Sequence, residues 1–286
     1  MDPRQFDSRL TPARPDLAAK HLEGQVQAAR FVEGEVLEVM DPQAPVRREP
    51  RPDGALDTEA LLGERVTVYE TNDEGWSWGQ LHSDGYVGWL PAFALARPRA
   101  EPTHRVGALR TLAFPGPSIK IPPVHSPPLG ARIAVARQQD IFAVTPNGHY
   151  LPAHHLVPLD SRDSDFVAVA ERFVGTPYLW GGKTSLGLDC SGLVQVALTA
   201  CGVVCPRDSD MQERALGTAV DRNAPLQRGD LIFWKGHVAI ARDDVSMIHA
   251  NAFHMAVTIE PIREAVERIA AGGSAVTSVR RLELRE

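Results

Sequence analysis

Three residues in the last third of the chain can be read together as a nucleophile and its base: Cys190, His237 and His249. A cysteine attacks as its thiolate, and a free thiol with a pKa of about 8.5 is only a few per cent ionised at neutral pH. Such a residue therefore needs a base beside it and a favourable field. Cys190 is preceded by Asp189 and followed by the apolar positions Leu193, Val194, Val196, Ala197, Leu198 and Cys201, with Gly202 as the stop. This predicts a largely buried helix capped by Asp189, with the sulfur at the N-terminus, where partial positive charge favours an anion. The stretch Gly175-Thr176-Pro177-Tyr178-Leu179-Trp180-Gly181-Gly182 reads as the loop that delivers it.

The base is expected on a hairpin. With His237–Ala241 and Val245–His249 as its strands, Arg242-Asp243-Asp244 forms a three-residue turn and His237 stands opposite His249. Opposite residues share a face with Cβ atoms roughly 5 Å apart, so one imidazole can act as base while the other orients it. A one-residue slip would separate them. Taken singly, each residue has a structural explanation, since an isolated buried cysteine or strand histidine is usually packing. Cys201 and Cys205 keep that explanation, His154 and His155 read as surface residues, and His254 is a weaker acid–base candidate.

The 286 residues suffice for two or three domains. A net charge of −6 gives no reason to expect nucleic acid or an anionic membrane as partner. Residues 1–20 lack the apolar core of a secretory signal, and no apolar run is long enough to span a bilayer. Three cysteines cannot all pair, and no second pair suggests zinc. Neither metal nor cofactor is expected, and the cytoplasm is the expected compartment.

Residues 1–34 read as an arm with a short helix over Leu22 to Phe31. From 35 to 98, short alternating segments predict a small β-barrel: Val36–Val39, Arg65–Tyr69, Trp76–Leu81 and Tyr86–Leu90. Residues 99–159 read as a second, divergent copy with strands near Gly107–Leu112, Ala131–Val135 and Ile141–Val144. The proline-rich piece between Pro115 and Pro128 is a loop. From 160 to 286 the pattern is mixed: a short helix around Phe166–Phe173, the Cys190 helix, strands at Asp230–Trp234, His237–Ala241, Val245–His249 and Ala256–Ile259, a helix near Arg263–Ala271 and a last strand near Val276–Leu284.

Ala60-Leu61-Leu62-Gly63-Glu64, Glu74-Gly75-Trp76 and Gly85-Tyr86-Val87-Gly88-Trp89-Leu90 resemble bacterial SH3-like domains. Tyr178-Leu179-Trp180-Gly181-Gly182, Asp189-Cys190-Ser191-Gly192, Arg228-Gly229-Asp230-Leu231 and His237-Val238-Ala239-Ile240, in that order, resemble the NlpC-type family of cell-wall cysteine peptidases over residues 163–262. The resemblance implies a multidomain chain, with small all-β SH3-like barrels before an α+β papain-like catalytic domain. It implies Cys190 as nucleophile, His237 as base and His249 as orienting group.

The run Pro206-Arg207-Asp208-Ser209, followed by Gln212, is similar to γ-D-glutamyl-L-diamino acid endopeptidases that act on short peptides with a free L-alanyl amine. That narrower likeness implies a site lined by Tyr178, Asp189, Ser191, Arg207, Asp208 and Ser209. It also implies an amine pocket closed by Tyr86, with Glu59 or Glu64 as its carboxylate. The alternatives are an amidase or acyltransferase on the same fold, or a non-catalytic wall-peptide binding protein.

Overall fold

The computed structural model describes residues 6–221 and 224–283. The chain divides into two compact units, 1–159 and 160–286.

In the first unit a seven-stranded sheet runs in the order Leu56–Leu61, Gln43–Arg47, Val87–Pro91, Trp76–Leu81, Arg65–Thr71, Glu35–Val39 and Leu95–Ala96. Alternation in these strands sends Val39, Val46, Ala60, Val66, Leu81 and Leu90 into one core. The expected segments are present, and Gln43–Arg47 and Leu56–Leu61 are added to them. Two three-stranded sheets follow: Arg132–Ile133, His104–Val106 and Leu156–Pro158, then Arg137–Gln139, Phe142–Val144 and Tyr150–Pro152. The expected strand Gly107–Leu112 is irregular backbone, and the pairing strand lies just before it at His104–Val106.

No α-helix forms over Leu22 to Phe31. A single 3₁₀ turn at Lys20–Leu22 ends before Gly24, whose φ of 79° suits glycine and breaks helical continuity. The chain doubles back, pairing Ala18–Ala19 with Phe31–Val32 in parallel. What holds this arm is packing: Leu17 is buried with Trp78 and Val87, and the Arg14 guanidinium lies 4.4 Å and 4.9 Å from the ring centroids of Trp78 and Trp89.

The second unit is α+β. Helix α1 (Phe166–Glu171) is capped by Asp165, which accepts from Val167 N at 2.9 Å and Ala168 N at 3.2 Å. Helix α2 (Cys190–Ala200), helix α3 (Ser209–Ala215) and helix α4 (Ile262–Ala271) accompany a six-stranded antiparallel sheet. Its order is Thr218–Ala219, Val276–Arg281, Leu231–Trp234, His237–Ala241, Ser246–Asn251 and Ala256–Pro261. The last strand thus ends at Arg281, and Leu284 lies outside the described residues. In the Arg228-Gly229-Asp230 run both charges are structural. Asp230 is fully buried and takes both arms of Arg281 at 2.7 Å, while Arg228 pairs with Asp165 at 2.7 Å.

The histidine hairpin departs from expectation by two residues. Ile240 pairs with Ile248 and Ala241 with Met247, so the connection is Arg242–Val245 rather than three residues. The cause is Asp243, whose Oδ1 accepts from Val245 N at 2.9 Å and Ser246 N at 2.6 Å and stabilises the longer turn. Because the side-chain period is two, a shift of two leaves His237 and His249 on the same face.

Candidate active site

Cys190 opens α2, and Asp189 caps it as expected, with Oδ1 accepting from Gly192 N at 2.7 Å. The carboxylate also ties down the preceding loop, since Oδ2 accepts from Gly181 N at 2.8 Å. Gly192 permits this turn: a Cβ there would sit 2.3 Å from the Gly182 carbonyl oxygen. The same loop is fixed at its start by a hydrogen bond from Tyr178 N to Met255 O at 2.9 Å.

Arg207 is buried to 1% exposure and grips Asp189 in a two-pronged pair, Nη1 to Oδ1 at 2.9 Å and Nη2 to Oδ2 at 2.8 Å. It also donates to Ser191 Oγ at 2.9 Å and to Gly182 O at 3.2 Å. Burial alone would lower the guanidinium pKa, but Asp189 outweighs it and the net shift is upward. Asp208 and Ser209 begin α3. Gln212 of that helix donates to Ser191 O and Pro206 O, each at 2.9 Å, which holds α3 against the Cys190 turn. The structure therefore gathers Asp189, Ser191 and Arg207 into one hydrogen-bonded cluster, with Asp208 and Ser209 at its edge.

Cys190 is buried, and the backbone N–H groups of Val238 and Ser191 lie near enough to its sulfur to favour the thiolate. Burial, reinforced by the nearby negative charge of Asp189, pushes the thiol up to about 12 despite those two amides. Tyr178 shares this environment: burial, then the proximity of Cys190 and Asp189, pushes its phenol up to about 12.

His237 begins the strand whose next amide, Val238, reaches Cys190. Its Nε2 lies 2.8 Å from His249 Nδ1. Burial, followed by the neighbouring His249, lowers His237 to about 3. The thiol and the imidazole are thus both neutral at rest.

Beyond His249 the chain of contacts continues to two residues that sequence reasoning passed over. His249 Nε2 lies 2.6 Å from Glu260 Oε1, and Arg268 of α4 holds that carboxylate at 2.6 and 2.7 Å. Burial would raise the Glu260 carboxyl, but the bonds from His249 and Arg268 outweigh it and bring it down to about 2. A signal for Glu260 existed: alternation in Ala256–Pro261 puts Thr258 and Glu260 on one face, and Thr258 pairs with His249.

The other expected residues lie elsewhere. His254 is exposed and bonded to Asn251 Oδ1 at 3.0 Å. His154 is exposed, and His155 bonds Thr111 at 2.8 Å. Tyr86, Glu59 and Glu64 belong to the first unit. Tyr86 is part of the barrel core, Glu59 accepts from Gln43 Nε2 at 2.9 Å, and Glu64 accepts from Leu61 N at 2.6 Å. Among the described residues no cluster of three or more histidine, cysteine or acidic side chains could hold a metal ion.

Comparison with known proteins identifies the families to which the two units are similar. Residues 175–269 match the NlpC/P60 family, and residues 46–95 match the bacterial dipeptidyl-peptidase SH3 domain. A γ-D-glutamyl-L-lysine dipeptidyl-peptidase of Bacillus cereus (strain ATCC 10987 / NRS 248) is 30% identical over 239 residues, 72% of this chain and 71% of that one. The Bacillus subtilis (strain 168) protein of the same name is 26% identical over 238 residues, 75% and 78% of the two chains. The crystal structure of an NlpC/P60 family protein from Bacillus cereus ATCC 10987 superposes with a TM-score of 0.72 at 25% identity, covering 86% of this chain and 99% of that one.

Proposed function

Because this chain belongs to the NlpC/P60 family, with an SH3-like barrel ahead of a papain-like α+β domain, we propose that it is a cysteine peptidase of peptidoglycan peptides. Its proposed target is the γ-D-glutamyl to L-diamino acid bond of short peptides with a free N-terminal L-alanine. The observation that carries the reading is the hydrogen bond between His237, on the strand whose Val238 amide lies near the Cys190 sulfur, and His249 on the neighbouring strand. The names of the two Bacillus relatives support the choice of bond.

In the proposed reaction Cys190 Sγ attacks the glutamyl γ-carbonyl carbon while His237 takes the thiol proton. The neutral resting pair makes this transfer part of the attack rather than a prior ionisation. Collapse of the tetrahedral intermediate breaks the C–N bond, and His237 returns the proton to the departing amine. A thioester remains. Water then attacks it, giving its proton to His237; the C–S bond breaks and Cys190 recovers its thiol. Backbone N–H groups near Cys190 would stabilise the oxyanion in both steps.

For substrate contacts we propose Tyr178, Asp189, Ser191, Arg207, Asp208 and Ser209 as the wall around the scissile bond. Asp189 and Arg207 are bound to each other and to the surrounding loop and helix turn, which supports a part in shaping that wall. Recognition of the amine we assign to Tyr86 together with Glu59 or Glu64. A buried ammonium needs a carboxylate, since an unpaired charge is costly to desolvate. The proposed domain division is 1–34, 35–98, 99–159 and 160–286. We place the reaction in the cytoplasm, a reading supported by the clustering of the three cysteines, which does not resemble a disulfide framework.

Mass spectrometry after incubation with L-alanyl-γ-D-glutamyl peptides ending in diaminopimelate or lysine tests the proposal. Release of the free diamino acid, abolished by Cys190→Ala, is the expected result. No cleavage by the wild-type chain overturns it. Equal cleavage of the N-acetylated peptides removes the role given to Tyr86.

A further inference from the structure

The hydrogen-bond chain that leads away from Cys190 ends on a carboxylate, and that end fixes where every proton along it sits. Glu260 is clamped by Arg268 through Oε2 at 2.6 Å and Oε1 at 2.7 Å, and its Oε1 also lies 2.6 Å from His249 Nε2. A carboxylate held this way by a guanidinium is ionised, and an ionised carboxylate can only accept. His249 Nε2 must therefore carry a proton.

A neutral His249 with its proton on Nε2 has a bare Nδ1. That nitrogen can only accept, so the 2.8 Å bond to His237 must be donated from His237 Nε2. A neutral His237 with its proton on Nε2 has its lone pair on Nδ1, the one ring nitrogen left to meet the Cys190 thiol. With the opposite arrangement, His249 would donate from Nδ1, and His237 would carry its proton on Nδ1. It could then take nothing from the thiol.

We propose that Glu260, held by Arg268, is a positioning residue that sets the tautomers of His249 and His237 and so makes His237 Nδ1 the base of this site. The proposal rests on the cysteine-hydrolase reading above and adds the residue that makes its base competent. When His237 takes the thiol proton, its new charge is stabilised along the same chain, and Glu260 stays ionised throughout.

The histidine tautomers of the resting protein can be read without substrate, from ¹⁵N–¹H spectra of histidine-labelled chain. The expected wild-type spectrum shows His249 and His237 both protonated on Nε2 and bare on Nδ1. Either residue protonated on Nδ1 in the wild type overturns the proposal, whatever the variants do. In Glu260→Gln the amide can donate as well as accept, so the Nδ1–H form of His249 should appear. Unchanged spectra overturn the proposal. The same variant should slow iodoacetamide alkylation of Cys190. With a cleaved peptide in hand, it should lower kcat by on the order of 10²-fold at nearly constant KM. If no peptide is cleaved by the wild type, the peptidase reading fails, while the spectra and the alkylation rate still decide the tautomer assignment.

Discussion

His237 Nε2 lies 2.8 Å from His249 Nδ1, although continuing the observed register sets His249 level with Ala239 rather than with His237. The two imidazoles meet on the diagonal. They can do so because the ladder between their strands stops at Ile240, while His237 itself pairs with Trp234 on the other side. The next residue of the His237 strand, Val238, has its amide near the Cys190 sulfur.

That diagonal bond should matter for rate more than for stability. His249→Ala removes the acceptor that orients His237, and kcat should fall by about 10²-fold or more. His249→Gln retains an acceptor for the His237 N–H and should lose less. Steady-state kinetics on the same peptide compares them, and equal rates for His249→Ala and the wild type would remove His249 from the site.

Stability should form a plateau between about pH 6.5 and pH 8.5. His237 falls from its ordinary 6.5 to about 3, and Glu260 falls to about 2. Over those ranges the unfolded chain binds more protons, so stability is lost as pH drops. Cys190 and Tyr178 are raised to about 12, so below their unfolded values their contribution is complete. It is lost as pH rises toward 12. Urea midpoints measured across pH should show both limbs, and His237→Asn should flatten the acid limb between 6.5 and 3. An unchanged acid limb in that variant contradicts the assignment.

Much of this site was legible because local chemistry points one way. An aspartate before an apolar run predicts a cap, and Asp189 caps α2. The hairpin face was legible for a similar reason, since parity survives an even shift, but the register was not. The extra turn residue is stabilised by the Asp243 side chain, a local bond that competes with the shortest turn. Glu260 escaped because its partner lies across a strand pair and a helix; a glutamate on a half-exposed strand gives no sign of a guanidinium from α4. Arg207 carried a motif but no hint of its burial, since its partner Asp189 is 18 positions away.

Arg207→Met should be among the most destabilising single changes in the second unit. It leaves the Asp189 carboxylate buried without its cation, a loss of about 3–5 kcal/mol. Asp189→Asn combined with Arg207→Met removes the orphaned charge and should recover part of that loss. A urea-denaturation double-mutant cycle measures the coupling, and strictly additive losses would contradict the pairing.

Gly192→Ala tests the turn that presents Cys190. The added methyl would meet the Gly182 carbonyl oxygen at 2.3 Å and Asp189 Oδ1 at 2.9 Å, and a backbone carbonyl cannot simply swing aside. The expected cost is about 1–3 kcal/mol, with a slower alkylation of Cys190. Wild-type stability and alkylation together would show that the loop relaxes freely.

The Asp189 carboxylate receives the amides of Gly181 and Gly192, one from each side of the nucleophile. A loop and a helix that share one acceptor open as a single cooperative unit. In native-state hydrogen exchange the Gly181 and Gly192 amides should therefore show matching protection, and both should lose it together in Asp189→Asn.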